Sequence, residues 1–172
     1  APPSGAEMKR FSRAFDALLQ VCAWIAAAIF GATALAITLN VILRNATGTT
    51  IFGLLDAVEY GLLAATFLAA PWVLAKHAHV TVDLVTAALP TAAARPLARL
   101  TALVGFAVSA VFLWYAVEAA MTSAARGSMI RTSFVIPEWW ALSAAPLGFA
   151  LICVEFLRQL ATPPVGARSG GL

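Results

Sequence analysis

The sequence predicts an all-α integral membrane protein with four transmembrane helices and one short interfacial amphipathic helix. Hydrophobic residues make up 62% of the 172 residues and charged residues only 11%, whereas an ordinary soluble domain is about 25% charged. The hydrophobic residues are concentrated in four stretches, which are Ala17–Leu43, Tyr60–Ala75, Leu100–Val117 and Trp139–Val154. These stretches leave no room for a separate soluble catalytic domain.

The lengths of the four stretches fit membrane spans. A helix rises about 1.5 Å per residue, so about 20 apolar residues cross a hydrocarbon core of about 30 Å. We expect one membrane domain over residues 15–160. Its spans, with flanking turns included, are residues 15–43, 51–75, 97–118 and 138–158. The first stretch is longer than the apolar core of a secretory signal, about 7–15 residues, so we expect a retained span.

The positions of the charged side chains predict the orientation. Basic residues precede span one, lie between spans two and three, and follow span four, and they are Lys9, Arg10, Arg13, Lys76, Arg95, Arg99, Arg158 and Arg168. On the opposite side Arg44 stands alone, and Arg126 and Arg131 are balanced by Glu118 and Glu138. Cytoplasmic loops carry the excess of Lys and Arg. We therefore expect a bacterial inner-membrane protein with both termini in the cytoplasm, and a net charge of +3 that serves topology and lipid contact rather than nucleic-acid binding.

Three segments are expected outside the hydrocarbon core. Residues 1–14 form a polar cytoplasmic segment, and residues 161–172 form a flexible cytoplasmic tail. Residues 80–89 are too few to cross the membrane, but as a helix they place apolar side chains on one face. These side chains are Val80, Leu84, Val85, Ala88 and Leu89. We predict an amphipathic helix along the inner membrane surface, ended by Pro90.

Proline, glycine and tryptophan mark features within the spans. Pro71 lacks a backbone donor, which predicts a kink about four residues earlier in span two. The segment Pro146–Gly148 predicts a kink with close helix packing in span four. Trp139 and Trp140 are typical of the aromatic belt at a membrane boundary. Small residues allow close helix approach, and those predicted to do so are Ala64, Ala65, Ala69, Gly105 and Gly148.

Two acidic residues stand early in span two, where an apolar tract makes charge costly. Asp56 and Glu59 are three apart and share a helical face. One interpretation is a proton or cation site. We favour a structural interpretation, because no second buried carboxylate is available to complete a cation cage. In it Glu59 faces another helix and pairs with Arg44 or with backbone groups of span one, and all three residues are buried polar or inter-subunit residues.

The two histidines lie at the inner end of span two. His77 and His79 are two residues apart and follow Lys76, so on a helix they point to different sides. A haem or metal site would place histidine deep inside a span, and we therefore expect head-group contacts instead. His79 and Asp83 can pair at the i, i+4 spacing. We predict that Lys76, His77, His79 and Asp83, together with Trp139 and Trp140, anchor the chain at the membrane interfaces.

The remaining candidates are two cysteines and two arginines. Cys22 and Cys153 lie in apolar tracts near the inner ends of spans one and four, without metal-binding spacing. Arg126 and Arg131, on the outer side, are candidates for docking a periplasmic partner. We expect no enzyme activity, because the sequence has no Ser/His/Asp arrangement, P-loop or dinucleotide fingerprint.

Several features occur in an order that points to a family. An outer Arg44 is followed by a glycine-containing turn, an acid early in span two, and then His79-Val80-Thr81-Val82-Asp83 leading to Leu89-Pro90. Later come Ile136-Pro137 before span four and Pro146-Leu147-Gly148 within it. Over residues 15–160 the chain resembles the DctQ-like small membrane subunit of tripartite ATP-independent periplasmic (TRAP) transporters.

The resemblance implies a role within a larger complex. In this family a periplasmic binding protein captures an organic anion, usually a carboxylate, and a large membrane subunit moves it inward with a sodium gradient. The small subunit is bound to the large one, braces its static scaffold, and can help to dock the binding protein. The resemblance places Na⁺ and substrate in the large subunit and implies no cofactor or metal in this chain. The expected partners are the large subunit, the binding protein and lipids.

Two alternatives from other classes stay open. One is a stand-alone proton-coupled exporter of the small four-helix type that uses Glu59, although such proteins carry the essential acid in the first span. The other is the membrane anchor of a respiratory complex, which would need buried axial histidines. The sequence does not indicate which anion is transported.

Overall fold

The protein is described by a computed structural model, which covers the backbone of residues 5–87 and 91–161 and the side chains of residues 10–76 and 96–161. The helices are α1 (Gly5–Thr47), α2 (Leu54–Ala87), α3 (Thr91–Arg126), α4 (Glu138–Leu142) and α5 (Ala144–Ala161). Strands β1 (Met129–Arg131) and β2 (Val135–Pro137) form an antiparallel pair between α3 and α4.

Within the part of the chain that the structure describes, four helical segments are long and apolar enough to cross a membrane, which confirms the predicted four-helix architecture. They are Arg10–Thr47, Leu54–Lys76, Pro96–Arg126 and Glu138–Ala161. The first and third helices extend beyond the predicted spans at both ends, since a helix can continue into the polar boundary once its apolar centre is in place. Following the predicted orientation, we call the end of the bundle that holds Gly53 the outer end and the end that holds Lys76 the inner end.

The helices form an open row. α2 packs against both α1 and α5, and α5 packs in turn against α3. Contacts between α2 and α3 are few. α1 and α3 are therefore the edges of the row, and each leaves most of its circumference uncovered within the chain.

α1 packs through a single stripe with a strict heptad spacing. The less exposed residues alternate at intervals of three and four and are Ser12, Phe15, Leu19, Cys22, Ala26, Ile29, Thr33, Ala36, Asn40 and Leu43. Of the other residues between Ser12 and Leu43, all except Ala23 are exposed. A repeat of 3.5 residues per turn makes two helices coil around each other with a left-handed twist.

Small residues set the spacing at the centre of the row. Pro71, in the interior of α2, has no N–H to donate to the carbonyl of Phe67 four residues earlier. α5 passes this point with Gly148, where an added Cβ would lie 2.8 Å from that carbonyl oxygen. Gly105 of α3 likewise packs against the ring of Phe156. The predicted close approach at both glycines is therefore present.

Span four is interrupted just before the predicted kink segment. The break is at Ser143, between α4 and α5, and Pro146 lies in the first turn of α5. A proline in a continuous helix would leave the carbonyl of Leu142 without its donor, whereas a first turn needs no such donor. The break is slight, because Ser143 keeps helical φ and ψ of −66° and −21° and its backbone N–H still donates to the carbonyl of Trp139 at 2.9 Å. Its hydroxyl donates to the carbonyl of Trp140 at 2.7 Å.

The predicted interfacial helix over residues 80–89 is partly described. Residues 77–87 continue α2 as helix, but residues 88–90 and the side chains of residues 77–95 lie outside the described part. The side chains of His77, His79 and Asp83 are among these, and their anchoring role stays a prediction. At the termini, residues 1–4 and 162–172 also lie outside the described part.

Candidate functional site

The predicted docking arginines lie on or beside a β-hairpin at the outer end. We call residues Met129–Pro137 the outer hairpin; its register pairs Ile130 with Ile136. Arg126 ends α3 immediately before it, and Arg131 lies at the end of β1. Both arginines are exposed, as are Met129 and Val135. The outer hairpin thus presents two positive charges beside apolar side chains.

The turn of the outer hairpin is fixed to the start of α2. The backbone N–H of Ser133 donates to Oδ2 of Asp56 at 2.7 Å. The ring of Phe134 packs over Gly53, whose φ of 74° and lack of a side chain both suit the contact. Asp56 is half-buried here, and its carboxylate joins two outer segments that are far apart in sequence.

The base of the outer hairpin is closed by Glu138. Its Oε2 accepts a hydrogen bond from Ser123 Oγ at 2.8 Å, and its backbone N–H donates to the carbonyl of Ser128 at 3.0 Å. The neighbouring Trp139 and Trp140 are exposed, with their rings 5.9 Å apart in an edge-to-face arrangement. The side chain at the first turn of α4 therefore ties α3 to α4, beside two aromatic rings at the predicted boundary.

The predicted pairing of Glu59 with Arg44 does not form. Both residues are exposed in the chain, and no ion pair joins them among the side chains that the structure describes. Of the three residues predicted as buried polar or inter-subunit, only Asp56 is partly covered by its own chain. The inter-subunit role of the other two stays a prediction.

The register of α1 against α2 explains why Glu59 and Arg44 are far apart. The backbone N–H of Ile51 donates to Oδ1 of Asn40 at 2.9 Å, and Gly61 packs against Thr33. The acid precedes Gly61 by two residues and, because α2 runs antiparallel to α1, is level with the residues just beyond Thr33. The arginine lies eleven residues beyond Thr33, which is about 16 Å farther along the helix.

A polar cluster at the inner end was not predicted. Nη1 of Arg158 donates to Oδ1 of Asp16 at 2.7 Å and lies 3.3 Å from Oε2 of Glu155. Its guanidinium carbon is 5.2 Å from the ring centroid of Phe15. Oε1 of Glu155 accepts a hydrogen bond from Nε2 of Gln159 at 3.1 Å. This cluster connects α1 with α5, the first and last helices of the chain.

Cys22 and Cys153 are buried and are free thiols. Among the described residues, no group of three or more His, Cys, Asp or Glu side chains could hold a metal ion.

The chain matches the family model described as tripartite ATP-independent periplasmic transporters, DctQ component, over residues 33–163. These are 131 of the 172 residues. The chain belongs to the DctQ family. A search among curated proteins gave no match.

Membership in the DctQ family establishes the class of function. The chain is a small membrane subunit of a TRAP transporter, as the sequence resemblance predicted. A tripartite transporter implies a large membrane subunit and a binding protein as partners. The matched residues of this DctQ protein include the outer hairpin and the break at Ser143, whereas Phe15 and Asp16 at the inner end lie before the match.

Proposed function

We propose that this chain is the scaffold subunit of a sodium-coupled, binding-protein-dependent transporter for organic anions, usually carboxylates, in a bacterial inner membrane. Family membership supports the transporter class. Sodium coupling, the class of anion and the bracing role go beyond family membership and are part of this proposal. In this proposal the chain carries neither Na⁺ nor substrate, and the large subunit binds both.

The distribution of buried polar groups carries the proposal. Among the described residues the buried polar side chains are Ser109, Ser123, Glu155 and Gln159. The single carboxylate in this set lies at the inner end, and no described charged side chain is buried in the middle of a span. A transport path for an ion across the membrane needs ionisable or free polar groups at that depth. Ser109 is a buried polar residue near the middle of the third span, but its hydroxyl donates to the carbonyl of Gly105 at 2.7 Å. The chain is therefore better suited to support a path than to form one.

The packing supports a static role. α5 packs closely against α2 at Gly148 and against α3 at Gly105, where an added side chain would clash. Asp56 and Glu138 fix the outer hairpin through hydrogen bonds. Interlocked side chains and short connections resist sliding between helices. A subunit built in this way can hold a partner in place while another part of that partner moves.

The uncovered apolar faces provide the surface for the large subunit. In the most apolar 18 residues of the first span only 6% are buried within the chain, and in the corresponding part of the third span 11% are. Lipid covers part of this area, and we propose that the large subunit covers the rest. The outer hairpin, with Arg126 and Arg131 exposed, would help to dock the binding protein.

Reconstitution of the transporter tests this function. The chain and its large subunit would be co-purified, placed in lipid vesicles and supplied with the binding protein and candidate carboxylates. We expect uptake only with all three proteins and an inward Na⁺ gradient, with K⁺ in place of Na⁺ as the control. Proton-coupled export by vesicles that hold this chain alone, or a haem absorption band in the purified chain, would overturn the proposal.

A further inference from the structure

A cavity lies at the inner end between α1, α2 and α5. It encloses about 310 Å³ and is lined by Asp16, Leu19, Gln20, Trp72, Ala75, Lys76, Glu155 and Arg158. We call it the inner cavity. At about 30 Å³ per water molecule it could hold about ten waters or one small polar group.

The charges that line the inner cavity cancel. Two carboxylates, those of Asp16 and Glu155, are matched by the cations of Lys76 and Arg158. An isolated anion or metal cation would therefore find as much repulsion as attraction. A ligand that carries both a positive and a negative group fits this lining better.

Two buried atoms in the lining lack hydrogen-bond partners among the described residues. They are Oε2 of Glu155, an acceptor, and Nε1 of Trp72, a donor. The side chain of Glu155 is only 5% exposed. The guanidinium of Arg158 is close to this oxygen, but its hydrogen bond goes to Asp16 instead. Buried polar atoms normally have partners, so each of these two points to a group other than the described side chains.

The position of the inner cavity matches the depth of lipid head groups. Lys76 is the last residue of the second membrane-crossing segment, and Arg158 lies three residues before the end of the fourth. Exposure also falls with depth, from 55% for the side chain of Asp16 to 26% for Arg158 and 5% for Glu155. The inner cavity thus opens at the boundary and ends at a buried carboxylate.

We propose that the inner cavity binds the zwitterionic head group of an aminophospholipid, which is a phosphodiester linked to a primary ammonium. The ammonium donates to Oε2 of Glu155 and to Asp16. The phosphate accepts from Nε1 of Trp72 and from Lys76. A primary ammonium has N–H donors, whereas the quaternary ammonium of a choline lipid has none. The Glu155 oxygen that accepts no hydrogen bond from the described residues therefore selects phosphatidylethanolamine over phosphatidylcholine.

Native mass spectrometry of the purified full-length chain tests this proposal. The chain would be titrated with phosphatidylethanolamine, phosphatidylcholine or phosphatidylglycerol of matched acyl chains. We expect phosphatidylethanolamine to be retained about tenfold more tightly than either of the others, as expected for one lost charge-assisted hydrogen bond. Equal retention of the three lipids would overturn the proposal.

Variants locate the binding. Glu155→Gln removes the charge that holds the ammonium at nearly constant volume and should abolish the preference for phosphatidylethanolamine. Trp72→Phe removes a donor to the phosphate, which all three lipids carry, and should weaken the retention of all three without changing the preference. Trp139→Phe, at the outer end, is the matched control and should keep both. Circular dichroism would verify that each variant keeps its helix content, and Lys76→Gln, at an exposed position, offers a further variant that the fold tolerates. An unchanged preference in Glu155→Gln, or unchanged retention of all three lipids in both Trp72→Phe and Lys76→Gln, would contradict the site.

Two further arms distinguish the sources of the same chemistry. Soluble glycerophosphoethanolamine should compete poorly, because it lacks the acyl chains that hold the lipid beside the inner cavity. Full competition by it would show a site for a free metabolite rather than a lipid. The complex with the large subunit should also retain phosphatidylethanolamine, and its loss on assembly would show that a partner side chain fills the inner cavity. Either result would overturn the proposal without affecting the transport role.

Discussion

Gly148 of α5 packs directly against the backbone carbonyl of Phe67 in α2, at the position where Pro71 removes the helical donor of that carbonyl. A Cβ at Gly148 would lie 2.8 Å from the carbonyl oxygen and 3.0 Å from the Cβ of Phe67. The obstructing atoms are close to the backbone and cannot rotate away. The two helices therefore meet at a point where one lacks a side chain and the other lacks a hydrogen-bond donor.

Gly148→Ala should destabilise the subunit, because α5 must move away from α2 to admit the methyl group. The expected cost is about 1–3 kcal/mol, measured as the loss of monodisperse protein after heating in detergent. Gly31→Ala is the matched control, since Gly31 is also helical and no atom would lie within 4 Å of its Cβ. That control should be neutral or slightly stabilising. Equal loss in the two variants would show that close packing at Gly148 is unimportant.

Asp56→Ala should release the outer hairpin. The variant removes the acceptor for the Ser133 amide, and a hydrogen bond to a charged group contributes about 1.5–3 kcal/mol. Hydrogen exchange at residues 129–137 should therefore become about tenfold faster or more. Asp56→Asn keeps an acceptor oxygen at the same place and should retain most of the protection. If the exchange rate is the same in all three proteins, the hydrogen bond does not hold the hairpin.

Glu59→Ala should weaken assembly with the large subunit more than it changes sodium affinity. Glu59 is exposed on its own chain within an apolar span, so we expect its charge to be paired by the partner. Loss of one member of such a pair costs about 2–5 kcal/mol, which would reduce co-purification at least tenfold. Glu118→Ala, at another exposed acid, is the control. Normal assembly combined with a shifted sodium dependence would favour an ion site at Glu59.

Arg126→Gln and Arg131→Gln should weaken productive docking of the binding protein. Exposed charges at the rim of an interface act mainly on the rate of encounter. The binding-protein concentration for half-maximal uptake should rise several-fold at low salt, with little change in the maximal rate and a smaller effect at high salt. Arg99→Gln, at the inner end of α3, should leave the concentration unchanged. A lower maximal rate with unchanged half-saturation would place these arginines in a later step.

The sequence was sufficient to predict the spans, because an uncharged apolar tract as long as Ala17–Leu43 can form few structures other than a membrane-spanning helix. It also indicated Gly105 and Gly148 as contact points, since small residues in apolar helices allow close approach. It could not reveal which side of α1 is packed, because almost every residue there is apolar. The packed stripe differs from the exposed faces of α1 only in a few smaller or polar residues, such as Cys22, Thr33 and Asn40.

The missed contacts depend on register or on distance along the chain. The pairing of Glu59 with Arg44 failed because hydropathy does not determine how far α2 slides along α1. The hydrogen bond between Arg158 and Asp16 joins residues 142 positions apart, and no local pattern encodes it. From the sequence, the outer hairpin was only part of the connection between the third and fourth predicted spans, since strands of three residues are too short to show alternation.

The heptad stripe of α1 has a geometric consequence for any neighbour in the membrane. From Ser12 to Leu43 it extends about 47 Å, and with a supercoil pitch of about 150 Å the pair of helices turns through about a third of a revolution over that length. The side of α1 that faces outward in one leaflet therefore points in a different direction in the other leaflet. A straight rod laid along this edge can follow it over only part of that length, so a neighbour that stays in contact across both leaflets must wind with the same handedness.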